Sequence, residues 1–199
     1  MGRKSKSEVR KIEILTQFSL VIHEDGFENA SIAKIADKMK INPSLIIHYF
    51  KSKDEMVIEL VDFTLTKFEQ LYLEKFQLLD DPGLRFETTI NFLLGDECLI
   101  STEELHSVFY ACYYLSIRND TILKRFQKMY QQLKNTLVAE AKNWIEHKII
   151  KNTNPEEVAE YIIILHEGLI FYEGINKNKD EFKKRSRNII EKTISVLKA

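Results

Sequence analysis

The sequence predicts an all-α fold in which an N-terminal three-helix unit containing a helix-turn-helix precedes a larger helical domain, with about nine helices in all. Three observations predict it. Only three prolines and six glycines stand among 199 residues, too few for a turn-rich β fold, and the abundant Lys, Glu, Leu, Ile and Gln are good or tolerable helix residues. Apolar residues recur at three- and four-residue steps along most of the chain, the mark of buried helical stripes. A net charge of −1 conceals an uneven distribution: residues 1–53 carry ten Lys/Arg against six Asp/Glu, and residues 54–199 carry 19 against 24. A basic first quarter on an acidic remainder points to one part that meets an anion and another that does not. The domains are accordingly drawn at 1–53 and 54–199.

Helix 1 is read from Ser7, because Ile12, Leu15, Phe18, Ser19 and Ile22 form one stripe, and it ends at Asp25-Gly26, where glycine can adopt the left-handed conformation of a C-cap. Ser31 reads as the N-cap of a short helix 2 whose Ile32, Ile35, Ala36 and Met39 share a face. Asn42 caps helix 3, with Pro43 in the first turn where its missing N–H does no harm. Projection of helix 3 at about 100° per residue buries Ile46 and Phe50, flanked by Tyr49 and Pro43, and turns Ser44, Ile47 and His48 the other way. Two short helices joined by a three-residue turn on a longer first helix make a helix-turn-helix, whose exposed second helix would read DNA.

Asp54-Glu55 opens helix 4 with charges that suit the helix dipole, and Val57, Leu60, Val61, Thr64, Leu65, Phe68, Tyr72 and Phe76 extend its stripe far enough to connect two domains. Asp80-Asp81-Pro82-Gly83 is the strongest break. Helices then follow at about 84–94, 102–116, 120–149, 155–175 and 179–198, the fourth of these with Pro155 at its first position. Val108-Phe109-Tyr110-Ala111-Cys112-Tyr113-Tyr114-Leu115 is apolar or aromatic all round, which implies enclosure on every side.

Several chemistries are disfavoured. A phosphate-cradling P-loop, a dinucleotide turn and a nucleophile elbow all need closely spaced glycines, whereas the closest pairs are Gly168/Gly174 and Gly83/Gly95. Cys98 and Cys112 lack CxxC spacing, and neither a leader peptide nor an apolar run of about 20 residues is present, so a cytoplasmic protein without membrane attachment is expected. Glu103-x-x-His106 has the spacing of a carboxylate-bridged metal bundle, but no second Glu-x-x-His accompanies it. Neither catalytic residues nor metal ligands nor a cofactor are assigned.

The stretch Asp25-Gly26-Phe27-Glu28-Asn29-Ala30-Ser31-Ile32-Ala33-Lys34-Ile35-Ala36, followed by Ile41-Asn42-Pro43-Ser44-Leu45-Ile46-Ile47-His48-Tyr49-Phe50-Lys51-Ser52-Lys53-Asp54-Glu55-Met56, resembles the DNA-binding region of the TetR family of bacterial transcriptional regulators. The shared features are a glycine, a Ser or Thr opening helix 2, an Ile-Ala pair, a short aromatic-ended recognition helix and Lys-Ser-Lys before helix 4. The resemblance implies an all-helical ligand-binding and dimerisation domain behind the DNA-binding unit. In that setting the protein would be a homodimeric repressor that leaves a palindromic double-stranded operator when a small molecule binds. Ile47 departs from the family's tyrosine, whose hydroxyl would touch a phosphate; isoleucine could instead meet a thymine methyl.

Ser44, Leu45, Ile47 and His48 are expected towards base edges, with Ser31, Ala33 and Tyr49 also facing DNA. Lys53 would bind phosphate at the start of helix 4, and Arg3, Lys4 and Lys6 would reach the backbone or minor groove. Phe68, Tyr72, Phe109, Cys112, Tyr113, Trp144 and His166 are candidate walls of an effector pocket, with plain core packing as the competing reading. Aromatic faces and the domain's negative charge favour an apolar or cationic effector. Tyr161, Leu165, Leu169 and Tyr172 with Ile190, Ile194 and Leu197 are candidates for a four-helix dimer interface. The rival readings are a helical metalloenzyme and a helical interaction adaptor, neither of which binds DNA.

Overall fold

The computed structural model describes residues 5–76, 79–95, 103–176 and 178–198, leaving the side chains of 69, 72–76 and 103–105 outside the description. Among the described residues there are nine α-helices and no strand: α1 (Lys6–Asp25), α2 (Ile32–Met39), α3 (Pro43–Tyr49), α4 (Lys53–Phe76), α5 (Pro82–Leu94), α6 (Glu103–Ser116), α7 (Asp120–Glu146), α8 (Pro155–Asn176) and α9 (Lys179–Leu197). The chain divides into two compact units, one of Met1–Phe68 with Glu103–Lys128 and the other of Glu69–Thr102 with Met129–Ala199. This division differs from a cut at residue 53/54. It falls inside α4 and inside α7, and it places α6 with the helix-turn-helix because α6 packs directly on α1.

From α1 to α4 each helix start is fixed by a local side-chain cap. Ser5 accepts from the Glu8 N–H while the Glu8 carboxylate accepts from the Ser5 N–H at 2.7 Å, a capping box that starts α1 just ahead of Ser7. Gly26 closes α1 at φ 81°, and its N–H donates to the Ile22 carbonyl at 2.9 Å. Ser31 caps α2 through the Lys34 N–H. Asn42 caps α3 through the Ser44 N–H at 2.9 Å, and Ser52 caps α4 through the Glu55 N–H at 3.1 Å. Ile14, Phe18 and Val21 of α1, Ile35 and Ala36 of α2, Ile46 and Phe50 at α3, and Met56, Leu60 and Val61 of α4 are buried together. His23 Nδ1 lies 3.0 Å from Ser107 Oγ, adding a polar contact between α1 and α6.

The full enclosure expected for the aromatic run of α6 is not what the protomer shows. Val108, Phe109 and Cys112 are buried, but Tyr113 and Tyr114 are half exposed. Their hydroxyls tolerate water, so a helix with no charged face can still keep a wet one.

The second unit is organised around the C-terminal end of α5. Its Leu93 carbonyl lies 2.7 Å from His166 Nδ1 of α8, and its Leu94 carbonyl accepts from Ser186 Oγ of α9 at 2.5 Å. Carbonyls at a helix end have no partner within the helix, so these two buried side chains complete α5 and tie α8 and α9 to it. Phe86 packs edge-on against Trp144 of α7 with ring centroids 5.1 Å apart. Lys151 and Leu197 join by a 2.9 Å backbone hydrogen bond beside an isolated Ile150–Lys198 bridge.

Candidate nucleic-acid interface and effector region

The helix-turn-helix is held from beneath by Ile46 and Phe50, both fully buried, so the opposite side of α3 must face outward. Ser44 and His48 are exposed there, and Ile47 is 51% exposed. Leu45 and Tyr49 are half-buried at the borders, and Pro43 is exposed, not tucked in as a flank of the buried side. His48 and Tyr49 meet edge to face with centroids 5.3 Å apart. The turn between α2 and α3 passes through Lys40, held in the left-handed region at φ 55°, ψ 42° with its N–H donating to the Asp37 carbonyl at 3.1 Å. A lysine there gave no sequence signal, because Gly and Asn are the residues that announce that conformation.

The charge around this face is selective. Lys34 pairs with Asp25 at 3.0 Å, Lys38 with Glu24, Lys11 with Glu59 at 2.5 Å and Lys40 with Asp37 at 3.4 Å. The hydrogen bond to Glu24 raises the Lys38 ammonium above its usual range. Lys6 and Lys51 make no ion pair among the described residues, and Lys53 stands over the Phe27 ring at 5.3 Å. Lys51 was missed in the sequence because it lies in the link between helices, outside any periodic pattern. Ser31 and Ala33 are exposed, and the Ser31 hydroxyl, accepting at the cap, retains its O–H to donate. Arg3 and Lys4 lie outside the described residues.

Four of the aromatic-region residues come together in the first unit. Phe68 of α4 and Phe109 of α6 are 5.4 Å apart, Phe109 and Phe126 of α7 are 5.0 Å apart, and Tyr113 meets Phe126 at 5.9 Å. Phe126, which completes the cluster, was missed because α7 reads as a charged, amphipathic helix. Cys112 is buried beside this stretch, and desolvation pushes its thiol pKa up to about 12. Trp144 and His166 belong to the second unit, where they pack on Phe86 and bond Leu93 respectively. The Tyr72 side chain lies outside the description, as does that of Glu103, while His106 packs against Phe68 at 5.4 Å.

The candidate interface on α8 needs correction. Leu169 and Leu197 are buried within the protomer and cannot present a surface, and Leu165, Ile190 and Ile194 are half-buried. Tyr161 and Tyr172 are exposed, and with them Ile164, Phe171 and Ile175, the last three at 60–69% exposure. These five and Gly168 lie within about 100° of one another around the helix. The sequence placed the face about one residue off because Tyr161-Ile162-Ile163-Ile164-Leu165 is apolar on all sides, so periodicity had nothing to select.

The profile described as bacterial regulatory proteins, tetR family, matches residues 20–60, from the last turns of α1 into the first turns of α4. The profile described as tetracyclin repressor-like, C-terminal domain, matches residues 105–199. The chain belongs to the TetR family. Its sequence is 24% identical over 131 residues to the HTH-type transcriptional regulator BetI of Proteus mirabilis, an alignment that takes in 65% of this chain and 64% of that protein's length. Two solved structures share the fold at 18% identity. One is a TetR transcription regulator from Haloarcula marismortui, with a TM-score of 0.80 over 96% of this chain and 98% of that one. The other is a transcriptional regulator from Saccharomonospora viridis in complex with choline, with a TM-score of 0.78 over 92% and 96%. No helix of the described TetR-family chain is long and apolar enough to cross a membrane, and among the described residues no three His, Cys, Asp or Glu side chains are grouped as metal ligands.

Proposed function

We propose that this TetR-family protein is a ligand-responsive, DNA-binding transcriptional regulator of the cytoplasm, a repressor that leaves a palindromic operator when a small apolar or cationic molecule binds. The observation that carries the reading is the outward face of α3, where Ser44, Ile47 and His48 project from a helix anchored by Ile46 and Phe50. A seven-residue recognition helix covers too few bases to be selective alone, so two copies on half-sites one helical turn apart are required. The exposed stripe of α8 supplies an apolar surface for that twofold pairing.

The aromatic cluster of Phe68, Phe109, Tyr113 and Phe126 is the better candidate for the effector wall than the seven residues taken together, since it joins α4, α6 and α7 within one compact unit. Its rings suit a cation, and the Saccharomonospora viridis regulator of similar fold is in complex with one, choline. α4 follows α3 after the short link of residues 50–52 and carries Phe68, and α6 packs on α1. An effector that favours one arrangement of these helices would bias DNA binding by about 1–3 kcal/mol. The test is a gel-shift titration on DNA flanking the protein's own gene, at several salt concentrations, with and without choline. Salt-sensitive binding to a discrete segment supports the regulator. Equal binding to all fragments, or none at low salt, removes it.

A further inference from the structure

We propose that Ile47 reads the 5-methyl group of a thymine in each operator half-site and so sets the base required at that position; the inference rests on the DNA-binding reading above. Ile47 is 51% exposed at the middle of the outward face of α3, between Ser44 one turn earlier and His48 beside it. A large β-branched side chain held in water on a helix has one strongly preferred rotamer. It is a rigid apolar probe, and the thymine methyl is the apolar group that the major groove offers.

The neighbouring hydrogen bonds narrow the choice of base. Asn42 Oδ1 accepts from the Ser44 N–H at 2.9 Å and from Ser44 Oγ at 2.8 Å. A backbone N–H can only donate, so that Asn42 atom is the oxygen, and the Ser44 hydroxyl must direct its single proton to it. Ser44 can then only accept from a base. Ser44 therefore offers no donor to the N7 and O6 acceptors of guanine, and Ile47 opposite a G·C pair would strip water from polar base edges without replacing their hydrogen bonds. Lys51 and Lys53 follow α3 directly in the chain and bring positive charge beside this face, as a phosphate backbone requires and an apolar protein partner does not.

The test starts from the full-length protein and a random duplex library, which yields its preferred site. Each thymine of that site is then replaced singly, in both half-sites, by deoxyuridine, which lacks only the methyl group. Binding is measured by fluorescence anisotropy at fixed salt. The inference requires one position per half-site at which the change weakens wild-type binding, about fourfold for one lost methyl contact and about 15-fold for both. It also requires Ile47→Ala to bind the thymine and deoxyuridine sites equally. Deoxyuridine tolerated at every position, a preferred site without thymine under α3, or an undiminished methyl effect in Ile47→Ala overturns it. A library that enriches no sequence removes the regulator reading itself, a result distinct from selective binding that ignores the methyl.

Discussion

Ile164→Glu should split the proposed dimer while leaving the protomer folded. Ile164 is 69% exposed, and it lies within the stripe formed with Tyr161, Phe171, Tyr172 and Ile175. Full burial of an isoleucine side chain contributes about 1.5–3 kcal/mol, so covering the exposed fraction contributes about 1–2 kcal/mol per copy. A twofold interface repeats the loss, giving about 2–4 kcal/mol, and a carboxylate placed against the partner's apolar face adds a desolvation penalty. The dimer dissociation constant should rise roughly 30- to 1,000-fold. Glutamate is a good helix former, and the site is already in water in the protomer, so helix content and the melting of the isolated chain should barely change. Sedimentation velocity across the micromolar range gives the association constant, and far-UV circular dichroism checks the fold. A variant that self-associates as tightly as wild type would refute the assignment of this face. So would a wild-type protein that is monomeric at micromolar concentration.

Lys40→Gly should stabilise the protein by about 0.5–1 kcal/mol, because left-handed geometry costs a non-glycine residue about 1–2 kcal/mol and glycine's unfolded-state entropy gives back about 0.5–1; the readout is a higher urea midpoint at unchanged slope. Changing Arg3, Lys4 and Lys6 to Gln keeps Ser5 and its capping box, so α1 should persist. DNA binding should then weaken alike on all sequences, with its salt dependence flattened by nearly one log unit per lost phosphate contact. An unchanged slope would assign those residues no contact with DNA. In a Cys98→Ser protein, Cys112 is the single thiol and should ignore thiol reagents at pH 8 until urea unfolds the chain, since its pKa is raised from 9.0 to about 12. The raised folded value means that the unfolded state loses its proton first, so the Cys112 contribution to stability is full below pH 9.0 and declines as pH rises towards 12. Phe109→Ala should blunt any shift in melting temperature caused by choline while DNA affinity without ligand persists. Loss of both together would make the ring core.

Helix starts at Ser31, Asn42 and Pro155, the Gly26 cap and the buried side of α3 were legible in the sequence because each is decided within a few residues, by a side chain reaching the nearest free N–H or by spacing along one turn. The outward-facing set was legible for the same reason: once Ile46 and Phe50 are known to be buried, Ser44, Ile47 and His48 have one direction left. The α8 stripe was not. A helix with isoleucine or leucine on every side has no preferred face until its neighbours take one, and the Leu93 and Leu94 carbonyls, through His166 and Ser186, select the face that turns inward. Lys40 adopts a glycine-like conformation that its chemistry does not announce, held by the hydrogen bonds of the turn.

By itself the sequence determined the helices, their order, the helix-turn-helix and the residues that look outward from it, since these depend on contacts between residues three or four apart. Only the tertiary structure decided that α6 packs on α1, that Phe126 joins Phe68 and Phe109, and that Leu169 turns inward while Ile164 and Phe171 stay in water. Those outcomes depend on segments far apart in the chain competing for the same buried space. Local spacing carries no record of which of them wins.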